Sequence, residues 1–180
     1  MARAKLDAIA LLKEDHRKVE GLFEQFEKAK KAERKEALAH EICTELMVHS
    51  MIEEEIFYPS CNGEVEEDLL NEAYVEHDGA KVLIAEISRG SSADEFYDAK
   101  VKVLSEMIKH HVKEEEKRAE GLFAQAKEAG LDMEALAERL STRKEELLAE
   151  FKSSGLPTPE TRSFQGPELK TGAPLQEPAH

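Results

Sequence analysis

The sequence predicts an all-α protein: an up-down-up-down four-helix bundle, followed by an additional C-terminal helix and a disordered tail. Three observations carry this. Ala, Glu, Lys and Leu dominate, Trp is absent, and charged residues reach 36% beside 41% hydrophobic. Apolar residues recur at a spacing of three and four over long stretches, the period of a helix face. Helix breakers are sparse until residue 153, after which five of the six prolines fall between 157 and 178.

The first helix is predicted from about Leu6 to Lys30, on the stripe Ile9, Leu12, Val19, Phe23 and Phe26. His16, four residues after Leu12 and three before Val19, lies in that stripe; Asp15, Arg17 and Lys18 lie off it. The second helix runs from about Ala32 to Tyr58, closed by Pro59 and Gly63. Leu38, Ile42 and Leu46 lead to His49, Glu53 and Ile56, while Glu54 and Glu55 turn away and His40 is a surface residue. Helical phase makes Tyr58 a packing residue at the bundle end.

The third helix is expected from about Glu66 to Arg89, with Leu70, Tyr74, Ile84 and Ile87 marking its stripe and His77 within it. Gly90-Ser91-Ser92 breaks the chain, and Ser92 or Asp94 caps the next helix. That helix is read from about Ala93 to Ala129, through Tyr97, Val101, Leu104, Ile108, His111, Glu115, Ala119 and Leu122 to a closing Gly130. A fifth helix, Asp132 to Phe151, packs Leu136, Leu140 and Leu147 on the outside. Residues 1–152 thus form one domain, and 153–180 a Pro-rich disordered tail.

A net charge of −14 argues against nucleic acid and anionic membranes, which select basic faces. No apolar run reaches the length of a membrane span, and the N-terminus reads as a helix start instead of a leader. Cys43 and Cys61 are too few for a disulfide scaffold. The expectation is a cytoplasmic protein.

Each of the four bundle helices delivers one histidine to its apolar stripe: His16, His49, His77 and His111. Two deliver a glutamate one turn later, Glu53 and Glu115, repeating a His-x-x-x-Glu spacing. One histidine on an apolar stripe is more often a hydrogen-bonded core residue than a ligand, and Glu54, Glu55, Glu114 and Glu116 read as a solvated face. Six such groups in one core are hard to satisfy without a cation. Imidazole with carboxylate suits iron, manganese or zinc, and two glutamates from different helices can bridge two ions. A dinuclear iron site fits best.

Asp15-His16-Arg17, the run from His49 through Glu53 to Tyr58-Pro59, Glu76-His77, and Lys109 through Glu116 resemble the hemerythrin-like, HHE cation-binding domain of bacterial type. The resemblance covers about residues 6 to 150. It implies the four-helix bundle and an oxo- or hydroxo-bridged di-iron centre, with His16, His49, His77 and His111 as terminal ligands and Glu53 and Glu115 as bridges. Oxygen-carrying members have two histidines a turn apart on the third helix; here Ala73 and Lys81 flank His77, so one nitrogen is missing. Their fourth-helix carboxylate is an aspartate five residues past its histidine; Glu115 is four from His111 and five from His110. His111 continues Leu104 and Ile108 and is preferred, with His110 in reserve. Water, Tyr58 or a third carboxylate could fill the vacant position.

The function expected is binding or sensing of O₂ or a related small ligand, NO or peroxide, in oxidative or nitrosative stress or iron handling. A narrow apolar pocket near Phe23, Leu46, Ile84 and Ile108 favours a diatomic ligand. One alternative is a di-iron enzyme that reduces peroxide or NO or oxidises Fe²⁺, weakened by the lack of a core acid–base group beyond the ligands. Another is a metal-stapled helical module recruiting a protein partner through its tail.

Overall fold

The computed structural model describes residues 7–164. α1 (Ala8–Lys28) starts at Asp7, whose carboxylate accepts from the Ile9 and Ala10 amides at 2.9 and 3.1 Å. α2 (Ala32–Ile52) passes through a π turn (Glu53–Phe57) into the short α3 (Tyr58–Cys61). α4 (Glu67–Arg89) and α5 (Tyr97–Glu116) follow, then α6 (Leu122–Glu128) and α7 (Met133–Ser154), which Asp132 caps.

Cross-helix pairs define the packing. Lys18 meets Glu45 while Arg34 meets Gln25, so α1 and α2 are antiparallel. Glu76 meets His111 while Glu86 meets Lys100, so α4 and α5 are too. α2 also packs on α4, and α1 on α5, closing the bundle; α7 lies along α1 and α2. The predicted stripe residues Leu12, Ile42, Leu104, Leu140 and Leu147 are buried, and among the described residues there is no strand.

Three elements differ from the expectation. The fourth helix is broken: α5 ends at Glu116, residues 117–121 form a turn, and α6 begins afterwards. Ala119, expected on the stripe, is exposed with φ 71°. The chain doubles back so closely at Gly121 that a Cβ there would lie 2.5 Å from the Glu115 carbonyl oxygen, which only glycine avoids. α5 also starts later than expected. Asp94 accepts from the Ser91 amide and Ser92 donates to Glu36, so neither caps the helix.

The third difference is at the C-terminal side. Residues 153 and 154 are the last turn of α7 rather than tail, and residues 156–164 run without helix or strand against α4. Three donors explain it: the Arg162 amide, the Ser163 amide and the Ser163 hydroxyl reach one oxygen of buried Asp78 at 2.8, 2.5 and 2.6 Å. The Arg162 guanidinium covers the Tyr74 ring, and the Glu160 carbonyl accepts from Lys81. Residues 165–180 of the expected tail lie outside the described residues.

Burial pushes the Asp78 carboxyl up, but the bonds from Ser163 and Arg162 and the Lys81 charge outweigh it and hold it below its ordinary 3.8. Asp78→Ala is expected to cost about 1–3 kcal/mol in urea unfolding and to expose residues 156–164 to protease. A depressed carboxyl stabilises above its unfolded pKa and loses that contribution as pH falls through the folded one. The gap between wild type and variant should therefore close below about pH 4.

Candidate metal centre

The six inner residues meet at one level of the bundle, all buried. His16 Nε2 lies 3.0 Å from His49 Nε2, and His77 Nε2 lies 3.1 Å from His111 Nε2. Glu53 Oε2 stands between the pairs, 3.3 Å from His49 Nε2 and 3.4 Å from His77 Nε2. Glu115 Oε2 spans the other side, 3.4 Å from His16 Nε2 and 3.5 Å from His111 Nε2. His111 is the inner histidine of its pair; the His110 side chain is 59% exposed and touches Glu76 from outside at 3.3 Å.

An outer ring holds these histidines. His16 Nδ1 faces Glu116 at 2.8 Å, His77 Nδ1 faces Glu54 at 3.0 Å, and His111 Nδ1 faces Glu76 at 2.7 Å. His49 Nδ1 faces Asp15 Oδ2 at 3.5 Å, and neither atom has a closer partner. Each carboxylate comes from a neighbouring helix or, for Glu54, from the π turn that continues α2. Each also carries a positive or donor group on its outer side: Arg17 on Glu116, Lys81 on Glu54, His110 on Glu76 and Lys144 on Asp15. A carboxylate at Nδ1 keeps the proton there and leaves the Nε2 lone pair facing inward.

Helical phase sets Asp15, Glu54 and Glu116 off the core, so this ring is not evident from the apolar stripes. A signal was present: each outer carboxylate is the immediate chain neighbour of an inner residue, as in Asp15-His16, Glu53-Glu54, Glu76-His77 and Glu115-Glu116.

Tyr58 is also placed differently from its expected packing role. Its hydroxyl is 2.9 Å from Glu115 Oε1, 3.3 Å from Glu53 Oε2 and 3.2 Å from His77 Nε2. The cause is the π turn. In a regular helix, residues five apart sit roughly 140° round the axis. Here the Tyr58 amide bonds back to the Glu53 carbonyl, five residues earlier, which brings the two side chains nearly into line. Phe123 stacks on His16 at 5.8 Å and Phe57 meets Phe123 edge-on, adding aromatic wall to the buried Phe23, Leu46, Ile84 and Ile108.

A family model described as the hemerythrin HHE cation-binding domain matches residues 7–123. The chain belongs to that family. A crystal structure of an HHE cation-binding domain-containing protein from Mycobacterium kansasii superposes with a TM-score of 0.69 at 24% identity, over 83% of this chain and 94% of that one, and shows the fold. A protein named DNA nickase from Nostoc sp. is 31% identical over 107 residues, which are 59% of this chain and 30% of the relative. This HHE chain thus spans less than a third of that relative's length.

The donor set fits a cation. With all four Nδ1 protons turned to carboxylates, His16 and His49 would oppose two lone pairs at 3.0 Å, as would His77 and His111 at 3.1 Å. Glu53 Oε1 and Glu115 Oε2 are buried without hydrogen-bond partners. In the metal-free chain, protons must do the cation's work. Burial pushes His49 down to about 4 despite Asp15. Burial also depresses His16 and His111, but Glu115 and the other carboxylates around each raise them above their ordinary value. Burial and the Glu115 charge push Glu53 well up, while the histidines overcome burial at Glu115 and hold it low. Burial and both glutamates raise Tyr58, keeping it a neutral hydroxyl donor.

The outer ring gives a direct test. Glu54→Ala and Glu76→Ala are each expected to weaken metal binding ~10–100-fold by competition with a chelator. Glu55→Ala, beside Glu54 but paired outward with Arg143, should change nothing.

Proposed function

We propose that this HHE protein holds two irons and binds or senses O₂ or a related small ligand, NO or peroxide. The observation that carries it is the paired geometry: two groups of inward donors share Glu53, one with His16, His49 and Glu115, the other with His77 and His111. Nitrogen and carboxylate donors suit iron, and neither cysteine takes part in the groups. Bound iron supplies Lewis acidity and a change of redox state.

The two positions are unequal. The His77–His111 position has fewer protein donors, and the Tyr58 hydroxyl adjoins it. Tyr58 either fills the gap or offers its proton to a ligand that does. The Tyr58 ring lies against His77 at this position, 5.3 Å between centroids, which favours a ligand of a few atoms. Addition of azide or NO to the iron-loaded chain is expected to shift its near-ultraviolet charge-transfer band, and Tyr58→Phe to alter that shift. A spectrum indifferent to both ligands would overturn the reading.

Tyr58 also favours the second reading, an enzyme acting on peroxide, NO or Fe²⁺, because it is a proton-bearing core group beyond the six inner residues. Steady-state turnover above that of free iron, lost in Tyr58→Phe, would select it. A −14 charge opposes binding to a phosphate backbone and argues against the nickase activity named for the Nostoc relative. No helix among the described residues is long and apolar enough to cross a membrane.

A further inference from the structure

We propose that the acidic cleft between α4 and α5 is the loading route of the centre, and that Glu72, Glu76 and His110 hold an incoming divalent cation at its side. This rests on the metal reading of the six inner residues.

Where α6 turns back on α5, a cavity of about 640 Å³ is lined by Glu64, Glu66, Glu114, Glu120 and Glu128, with Lys117 as its cation. It shares Leu69 and Glu114 with a crevice of about 10 Å³ whose lining also includes Glu72, Glu76, His111 and Glu115. Glu115 Oε2 is one of the buried atoms without a hydrogen-bond partner, so the lining of the crevice includes a residue with an unsatisfied acceptor. Glu72 and Glu76, one turn apart on α4, face His110 of α5, and their donor atoms lie within 4.8 Å of one another.

The chemistry of this path selects a cation. Like charges lining a cleft with low-dielectric walls focus the potential and raise the local concentration of counter-ions. The crevice has room for about one water, so an ion must shed its hydration shell, and carboxylates spaced along the wall can replace it. Glu76 joins the two ends: one oxygen faces His110 at the mouth, the other His111 of the centre at 2.7 Å. The opening beside Tyr74, of about 690 Å³, carries the Arg162 guanidinium and does not offer such a path.

The test uses the full metal-free chain mixed with Co²⁺ in a stopped-flow instrument, following the visible bands that Co²⁺ gains among nitrogen and oxygen donors. Amplitude reports the centre and rate reports the route. The variant is Glu72→Gln/Glu114→Gln, which leaves the inner six, the carboxylates of the outer ring and their outer partners intact. It is expected to reach full amplitude at a rate lower by ~10-fold or more. Added salt should slow the wild type and barely affect the double variant. Glu24→Gln/Glu145→Gln, the same charge change elsewhere, should load at the wild-type rate. Full amplitude at an unchanged rate in the cleft variant overturns the route, as does equal slowing in the distant control. A wild type that gains no bands overturns the metal centre itself.

Discussion

Glu53→Gln is expected to abolish tight metal binding and, in the same protein, to stabilise the metal-free chain. Glu53 is fully buried, and one of its oxygens has no hydrogen-bond partner. Without a cation its charge opposes both burial and Glu115, which is why its pKa rises so far. Glutamine keeps the shape and removes the titrating group, for a gain of about 1–3 kcal/mol in urea unfolding with chelator present. With metal the sign reverses. Glu53 belongs to both donor groups, so its loss weakens both positions, by ~100-fold or more, about 3 kcal/mol. A variant that destabilised the metal-free chain would show that Glu53 belongs to an ordinary polar network.

Chelation of the loaded protein is the second large effect. A ligand that binds only the native state stabilises it by about 4 kcal/mol at a thousand times its dissociation constant. Two such ions in a domain of this size correspond to a fall of ~15–30 °C in Tm on removal. Helix content should persist below the new midpoint, because Leu38, Ile42, Val101, Leu104, Leu140 and Leu147 are buried in layers that do not supply donors. Calorimetry with and without chelator, alongside far-ultraviolet circular dichroism, measures both. An unchanged Tm would mean that the inner residues hold no ion.

The burial of the inner six was legible because the period that builds the core also turns these residues inward. His16, His49, His77 and His111 each continue an apolar stripe, so helical phase alone turned them inward. The same reasoning hid the outer ring. Asp15, Glu54 and Glu116 lie about 100° round the helix from their inner neighbours, where charged residues are usually solvated, and only the adjacent helix shows what they hold. Helical phase favours a packing role for Tyr58 over the vacant position; the π turn changes that phase by one residue, and nothing in Glu53 to Phe57 announces it. The break after Glu116 was invisible for a related reason. Lys117 to Glu120 reads as helix by composition, and the constraint that ends it is the close approach at Gly121.

The most direct test of the account is metal content per chain on protein from iron-supplied cells, with its optical spectrum before reduction, after reduction and after return to air. Two irons per chain, with a band bleached by reduction and restored by air, is the expected result for the two donor groups that share Glu53. A folded protein with no bound iron and no such band would contradict it, and would leave the four histidines and two glutamates as a proton-satisfied core.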